Sequence, residues 1–408
     1  MKKSLGVWRS WALVVGTIIG SGVFTLPAVL APYGSISFIG WGITALGALS
    51  ISFSLCHLAA RNPRLGGPYA YVYEAYGKYS AMIVAWGYWT SLWVGVAAIA
   101  VSFSGYLAVF FPVIGENSIL SSLASIMAVA LFTAINVRGV EQASIVQLIT
   151  VILKMIPLIV IGAVGLVMGD LSDVPALNPK GEPFLVMIAS ICLLVMWSYI
   201  GIEAATIPSE DTHEPKKTIP RALILGTLTA TAIYVIAMAG VMALIPVVDL
   251  QNSTSPFSDA AMMIFGSTGS IIVGIGALIA IGGALNSMIL LTGSIPLAGA
   301  RDHLFPAIFS KQNNSGTPVH AIMISSILAM LVIIINSTKG LLAAFEFMII
   351  ISTFTVLIAY LGSAMASLKL QITDQKLGIK INYMTFLVSI IATGFSIMAI
   401  IGAWILYH

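Results

Sequence analysis

The apolar positions of this chain run in long stretches separated by short polar connections. The stretches fall at about 10–33, 37–60, 80–112, 118–136, 143–168, 184–208, 222–246, 268–299, 319–337, 341–368 and 382–406. A helix needs about 20 apolar residues to cross a hydrocarbon core of roughly 30 Å, so the pattern predicts eleven spanning helices. The predicted fold class is an all-α polytopic membrane protein. The third, eighth and tenth stretches are long, which implies tilt or extension beyond the bilayer. No Ser/Pro-rich linker or low-complexity segment divides the chain, so a single domain over 1–408 is expected.

Two stretches are interrupted. The first carries Gly20-Ser21-Gly22, and the sixth carries Trp197-Ser198-Tyr199-Ile200-Gly201-Ile202-Glu203. Backbone that unwinds inside a bilayer must line a cavity or bind something. Two such breaks in corresponding positions, five helices apart, point to a transporter built from an inverted repeat.

Composition and charge narrow the picture. The chain is 59% hydrophobic and 8% charged, against about a quarter charged in a soluble protein. Of its eighteen Lys and Arg residues, fifteen (Lys2, Arg9, Arg61, Lys78, Arg138, Arg301 and Lys369 among them) fall on the side of the N-terminus. Only Lys180 and Lys339 fall on the other, and Lys154 lies within a span. The positive-inside rule then sets a cytoplasmic N-terminus, in the plasma (inner) membrane, with His408 outside. Met1-Lys2-Lys3 resembles a signal-peptide start, but the apolar run continues to Pro32 and reads as a retained first helix. Cys56 and Cys192 lie in apolar runs and read as packed residues. Nothing suggests a disulfide, a metal site, a cofactor, a nucleic-acid surface or a catalytic pair, so an enzyme is not expected.

The breaks supply the candidate chemistry. Gly20 and Gly22 let the backbone leave helical geometry, as does Gly201. A half-helix restarting near Gly22 presents free N–H groups and the positive end of a dipole, which suits a carboxylate, with the Ser21 hydroxyl as a further donor. Carbonyls released from Thr17, Ile18 and Ile19 can accept from an ammonium. Together these outline an α-amino acid backbone. The same residues also suit close helix packing through small side chains. Glu203 just beyond Gly201 is an ionisable residue in a span, a functional candidate by default. Burial disfavours its charged form, which suits a proton carrier. The plain alternative is an acid at the membrane boundary, since Pro208, Glu210 and Asp211 follow. Trp197 reads either as a lid over substrate or as packing. Lys154 is well inside the fifth span, too far from its end to snorkel out. A lysine there can exchange its charge and replace a metal cation as the coupling ion, leaving the proton as the transported charge.

These landmarks together resemble the amino acid–polyamine–organocation superfamily, nearest to the bacterial basic amino-acid/polyamine antiporters. The resemblance runs through Gly20-Ser21-Gly22-Val23-Phe24 with Pro27, Gly66-Gly67-Pro68-Tyr69-Ala70-Tyr71, the Trp197–Glu203 segment, Pro220, Ser255-Pro256-Phe257, Leu304-Phe305-Pro306 and Gly316-Thr317-Pro318. It implies a leucine-transporter-like fold, with a 5+5 inverted repeat (about 10–168 and 184–368), broken helices 1 and 6, and an extra helix at about 382–406. It also implies that Ser21 and Gly22 hold a substrate carboxylate. Carbonyls of Ile18, Trp197 and Ile200 would hold the ammonium, Trp197 would shield the side chain, and Glu203 would be the proton-sensitive acid.

Three departures bear on substrate. Val96 stands where such antiporters have an asparagine, Met288 where they have a tryptophan, and Lys154 where they have a small apolar residue. Neither Val96 nor Met288 offers the hydrogen bond or the stacked ring, worth about 0.5–2 kcal/mol, that a guanidinium uses. The sequence therefore leads to the expectation of alternating-access, proton-coupled transport of neutral amino acids. Exchange of amino acids or amines by antiport is the alternative, and a channel or receptor is remote. The expected partners are a small amino acid or amine and the lipid bilayer. A homodimer stays open, because the family's usual twelfth span is not found.

Overall fold

The computed structural model describes residues 6–61, 66–138, 144–170, 177, 181–203, 212–313, 316–378 and 382–407. Its regular elements are helices: α1 (Val7–Ile18), α2 (Ser21–Leu30), α3 (Ile36–Arg61), α4 (Pro68–Tyr76), α5 (Lys78–Leu107), α6 (Pro112–Glu116), α7 (Ser118–Val137), α8 (Ser144–Met168), α9 (Phe184–Met196), α10 (Pro215–Leu244), α11 (Val247–Leu250), α12 (Pro256–Arg301), α13 (Val319–Ile335), α14 (Leu341–Lys376) and α15 (Tyr383–Tyr407). Among the described residues, seven helices are long and apolar enough to cross a bilayer alone. The α1–α2 pair, bent by 41°, makes an eighth, and three shorter apolar helices lie in α8, α9 and α13. These are the eleven stretches read from the sequence, and the protein is an integral, multi-pass membrane protein.

The seventh stretch starts earlier, at Pro215, and the tenth runs on to Lys376; three other boundaries also differ from the sequence reading. The third stretch stops at Leu107 rather than 112, because Pro112 opens the separate helix α6, where its missing N–H costs nothing. The eighth begins earlier: α12 starts at Pro256 and carries a break at Gly266, whose φ of 67° belongs to the left-handed region. The preceding turn of polar residues hid that first segment. In the sixth, the helix ends at Met196, and residues 204–208 of the predicted span lie outside the described residues.

Both breaks are local in origin. After α1 the backbone turns extended at Ile19 (ψ 92°) and at Gly20 (φ −133°, ψ −142°), and α2 restarts at Ser21. After α9 the chain tightens into a 3-10 turn at Trp197–Tyr199, goes extended at Ile200 and reverses at Gly201, φ 104°. The positive φ at Gly201 would strain any residue with a Cβ.

Within a bilayer, helices gain nothing from hiding apolar surface from lipid, so small residues and polar contacts set the packing. The α8–α10 pair shows this. A Cβ at Gly240 would lie 2.2 Å from the Gly162 carbonyl oxygen, and one at Gly165 would lie 2.4 Å from the Gly240 carbonyl oxygen. The two backbones touch, and nothing larger than glycine fits at those points. This contact fixes the two helices that brace the first break. Helix α15, outside the paired repeats, is pinned by Ser389, which bonds Ser54 of α3 and Ser367 of α14, and by Gly402, which sits against the Ala189 backbone of α9.

The bundle is tied at both ends. Where α5 stops, the Tyr106 hydroxyl donates to the Phe24 carbonyl at 2.9 Å and accepts from the Phe257 N–H at 3.3 Å, with Phe24 edge-on to both rings. Where α5 starts, Arg61 pairs with Glu74 and Asp374, Tyr69 donates to Asp302 at 3.1 Å, and the Trp86 indole donates to the Leu304 carbonyl. Between these ties lies the site.

Candidate functional site

The two breaks meet face to face. A Cβ at Gly22 would stand 2.6 Å from the Ser198 hydroxyl and 3.1 Å from the Trp197 ring, while one at Gly201 would stand 3.0 Å from the Thr17 Cβ. Each break therefore needs a glycine because the other break is so near. They border a narrow, partly open cavity of about 40 Å³. Its wall brings together Ile18, Gly20, Ser21 and Gly22 from the first break, Trp197, Ile200, Gly201 and Glu203 from the second, and Met288 from α12. Leu92 and Ile99 of α5, with Ala284, Ser287 and Leu291 of α12, complete the side walls.

Two sequence candidates stand apart from that wall. Val96 is 1% exposed and does not line the cavity. Its neighbour Gly95 packs behind two wall residues: an added Cβ would lie 3.4 Å from Met288, Ser352 and Trp197 alike. By helical spacing Gly95 and Val96 both flank the face that carries Leu92 and Ile99, so it is packing that keeps Val96 off the wall. Lys154 also lies behind the wall. Its ammonium donates to the carbonyls of Gly16 and Ile19, two of the acceptors that the end of α1 leaves free.

The freed backbone groups of the first break can be accounted for almost one by one. Lys154 holds Gly16 and Ile19. The hydroxyl of Tyr234, on α10, lies 2.7 Å from the Ile18 carbonyl and 3.1 Å from the Ser198 carbonyl. Thr17 turns its hydroxyl back onto Leu13 and Val14 and reaches the Gly201 carbonyl at 3.3 Å. On the opposite side, Ser21 at the start of α2 is buried, and its hydroxyl meets no hydrogen-bond partner among the described residues. The same holds for the Ser198 hydroxyl and the Trp197 indole N–H. A buried polar atom left in that condition costs about 1–3 kcal/mol, so the two on the cavity wall, Ser21 and Trp197, mark a place suited to a polar ligand.

Glu203 is 1% exposed. The hydroxyl of Tyr88 donates to one carboxylate oxygen and that of Tyr360 to the other, the latter at 2.6 Å. Tyr88 comes from α5 and Tyr360 from α14, so the acid ties its own broken helix to two others. Among the residues lining the cavity it is the one charged side chain. Ser287 returns its hydroxyl to the Gly283 carbonyl, and the Asn286 side chain is taken by Asn136 at 2.8 Å, so neither residue is free to replace the missing ring or amide.

The sequence reading missed Tyr88, Tyr234 and Tyr360. The available signal was depth. All three sit well inside apolar runs, where a phenol O–H must find a partner.

The profile of the Amino acid permease family matches residues 5–406. An arginine/ornithine antiporter of Pseudomonas aeruginosa is 30% identical over 381 residues, covering 89% of this chain and 78% of that protein. A cadaverine/lysine antiporter of Escherichia coli K12 is 28% identical over 411 residues, covering 98% of this chain and 90% of that protein. Among solved structures, the crystal structure of MhsT in complex with L-phenylalanine shares the fold, with a TM-score of 0.64 at 14% identity and 99% coverage of both chains.

Proposed function

The chain belongs to the amino acid permease family, and from that premise we propose that this amino-acid transporter, which is not an enzyme, works as an antiporter of basic amino acids or their amines by alternating access. One observation carries the reading. The cavity between the breaks offers a donor end at Ser21 and Gly22, the Ile18 carbonyl as an acceptor that a substrate ammonium would share with Tyr234, and a single charged side chain, Glu203. A donor end and an acceptor end suit the α-carboxylate and α-ammonium of an amino acid. The lone acid gives a cationic side chain or a second ammonium its counter-charge. Leu92, Ile99, Met288 and Leu291 supply apolar walls for the methylenes of such a side chain, in the way long cationic residues bury their stems. The relatives, named as antiporters of arginine/ornithine and cadaverine/lysine, support exchange over proton-driven uptake.

In this reading Ile18, Ser21, Gly22, Trp197 and Ile200 bind the backbone of the substrate, and Met288 covers its side chain. Lys154 stands in for a cation at the end of α1. Val96 acts only by packing. The repeats run over about 10–168 and 184–368, and the end rich in Lys and Arg is cytoplasmic.

A second reading keeps neutral amino acids and proton coupling. The apolar walls and the buried Lys154 favour it. Counterflow separates the two. Proteoliposomes loaded with unlabelled lysine or ornithine and diluted into labelled lysine are expected to take up label transiently, with no imposed pH gradient. Accumulation of labelled leucine driven by a pH gradient, with no stimulation by internal substrate, would replace the antiport reading with the neutral one.

A further inference from the structure

Tyr234 belongs to α10, outside both breaks, yet its hydroxyl stands between them. The ring is fully buried, with centroids 5.2 Å from Trp41 and 5.8 Å from Tyr199. One turn before it on the same helix, Thr231 shares a 2.8 Å hydrogen bond with Tyr199. The ring is thus fixed by its neighbours, and the torsion left to it is rotation of the O–H. A phenol carries one proton to donate. Two buried carbonyl oxygens compete for it: Ile18 of the first break at 2.7 Å and Ser198 of the second at 3.1 Å. The shorter contact is the stronger bond.

We propose that Tyr234 is a positioning residue that hands its proton from the Ile18 carbonyl to the Ser198 carbonyl when a substrate ammonium arrives at Ile18, so that occupancy of one break is read by the other. The proposal rests on the reading of the cavity as an amino-acid site. Its logic is a difference of two hydrogen bonds. An ammonium that engages Ile18 displaces the better bond of Tyr234 and leaves it with the poorer one. Binding loses that difference, and the second break gains a donor it otherwise holds weakly. No covalent bond changes; one hydroxyl rotates.

The test is Tyr234→Phe, which keeps the ring and its packing and removes only the hydroxyl. With the competitor gone, the affinity for lysine in purified protein is expected to rise about two- to fivefold, the equivalent of part of one hydrogen bond. KM for exchange should fall with it. The affinity for 6-aminohexanoate, which is lysine without its α-ammonium, should stay unchanged. Lysine affinity that is unchanged or weaker overturns the proposal. So does an equal tightening for both compounds, which would mean a general relaxation of the site. Where 6-aminohexanoate binds neither protein, the lysine arm alone decides. If Tyr234→Phe does not fold, 3-fluorotyrosine placed at position 234 carries the test: its ¹⁹F resonance should move on adding lysine, and a resonance that stays put overturns the proposal. Wild-type protein that binds no amino acid would defeat the functional reading itself. Wild-type exchange with an unaltered Tyr234→Phe would defeat only Tyr234.

Discussion

The first and second breaks solve the same problem in opposite ways. At the first, the end of α1 leaves carbonyls without helical partners, and other helices supply the donors: Lys154 from α8 and Tyr234 from α10. At the second, the break itself supplies the acid, Glu203, and other helices again bring the donors, Tyr88 from α5 and Tyr360 from α14. Irregular backbone in a membrane persists only where something else satisfies it. The contrast shows that the first break is held from one side, through the glycine-packed α8–α10 pair, whereas the second, besides its α10 contacts at Ser198 and Tyr199, is held by α5 and α14. A helix pair that moves as a unit would carry the first break with it. The second break would have to release one of its two phenols.

The largest expected effect comes from breaking the support of the first site. Lys154→Ala removes the donor to two buried carbonyls, each of which then costs about 1–3 kcal/mol. Exchange in proteoliposomes is expected to fall by at least about tenfold, with a lower melting temperature. Full exchange in the alanine variant would show that α8 does not hold the break. Next in size is Gly201→Ala. Its φ of 104° and the Thr17 Cβ 3.0 Å away leave no relaxed position for a methyl group, so a loss of about 1–3 kcal/mol of stability is expected. A variant as stable as the parent would contradict the close meeting of the two breaks. The smallest effect sharpens the second half of the comparison. Tyr88→Phe and Tyr360→Phe each remove one donor to Glu203, at about 1 kcal/mol apiece, and a double-mutant cycle is expected to show coupling between them. Strict additivity would mean that the two phenols do not act on one carboxylate.

Much of this arrangement was legible in the chain. Membrane spans are written in runs of apolar residues, because a bilayer demands length and tolerates little else. Both breaks were visible because glycines and a carboxylate at mid-depth have few other uses. Gly201 and Glu203 were found for that reason, and the structure sets them on the same cavity as Ser21 and Gly22. The face of α5 was harder. Leu92 and Ile99, not Val96, meet the cavity, and which residues of α5 do so depends on helix rotation of a fraction of a turn, which packing decides. The three tyrosines were passed over because a phenol looks the same on paper whether it packs or donates. Their partners, Glu203 and the Ile18 carbonyl, lie between 115 and 216 residues away in the chain. The helix ahead of Gly266 was hidden by the polar residues around its start, although Ser255-Pro256 is an ordinary opening for a helix.

The central claim is that the cavity between the breaks takes a cationic amino acid, with Glu203 as its counter-charge. Competition binding to purified protein tests it most directly, using lysine, ornithine, arginine, cadaverine, leucine and phenylalanine on wild type and Glu203→Gln. The account predicts displacement by the cationic compounds, weak or absent displacement by leucine and phenylalanine, and loss of that preference in Glu203→Gln. Displacement led by leucine and phenylalanine, with the preference untouched by Glu203→Gln, would contradict it and return the site to neutral substrates.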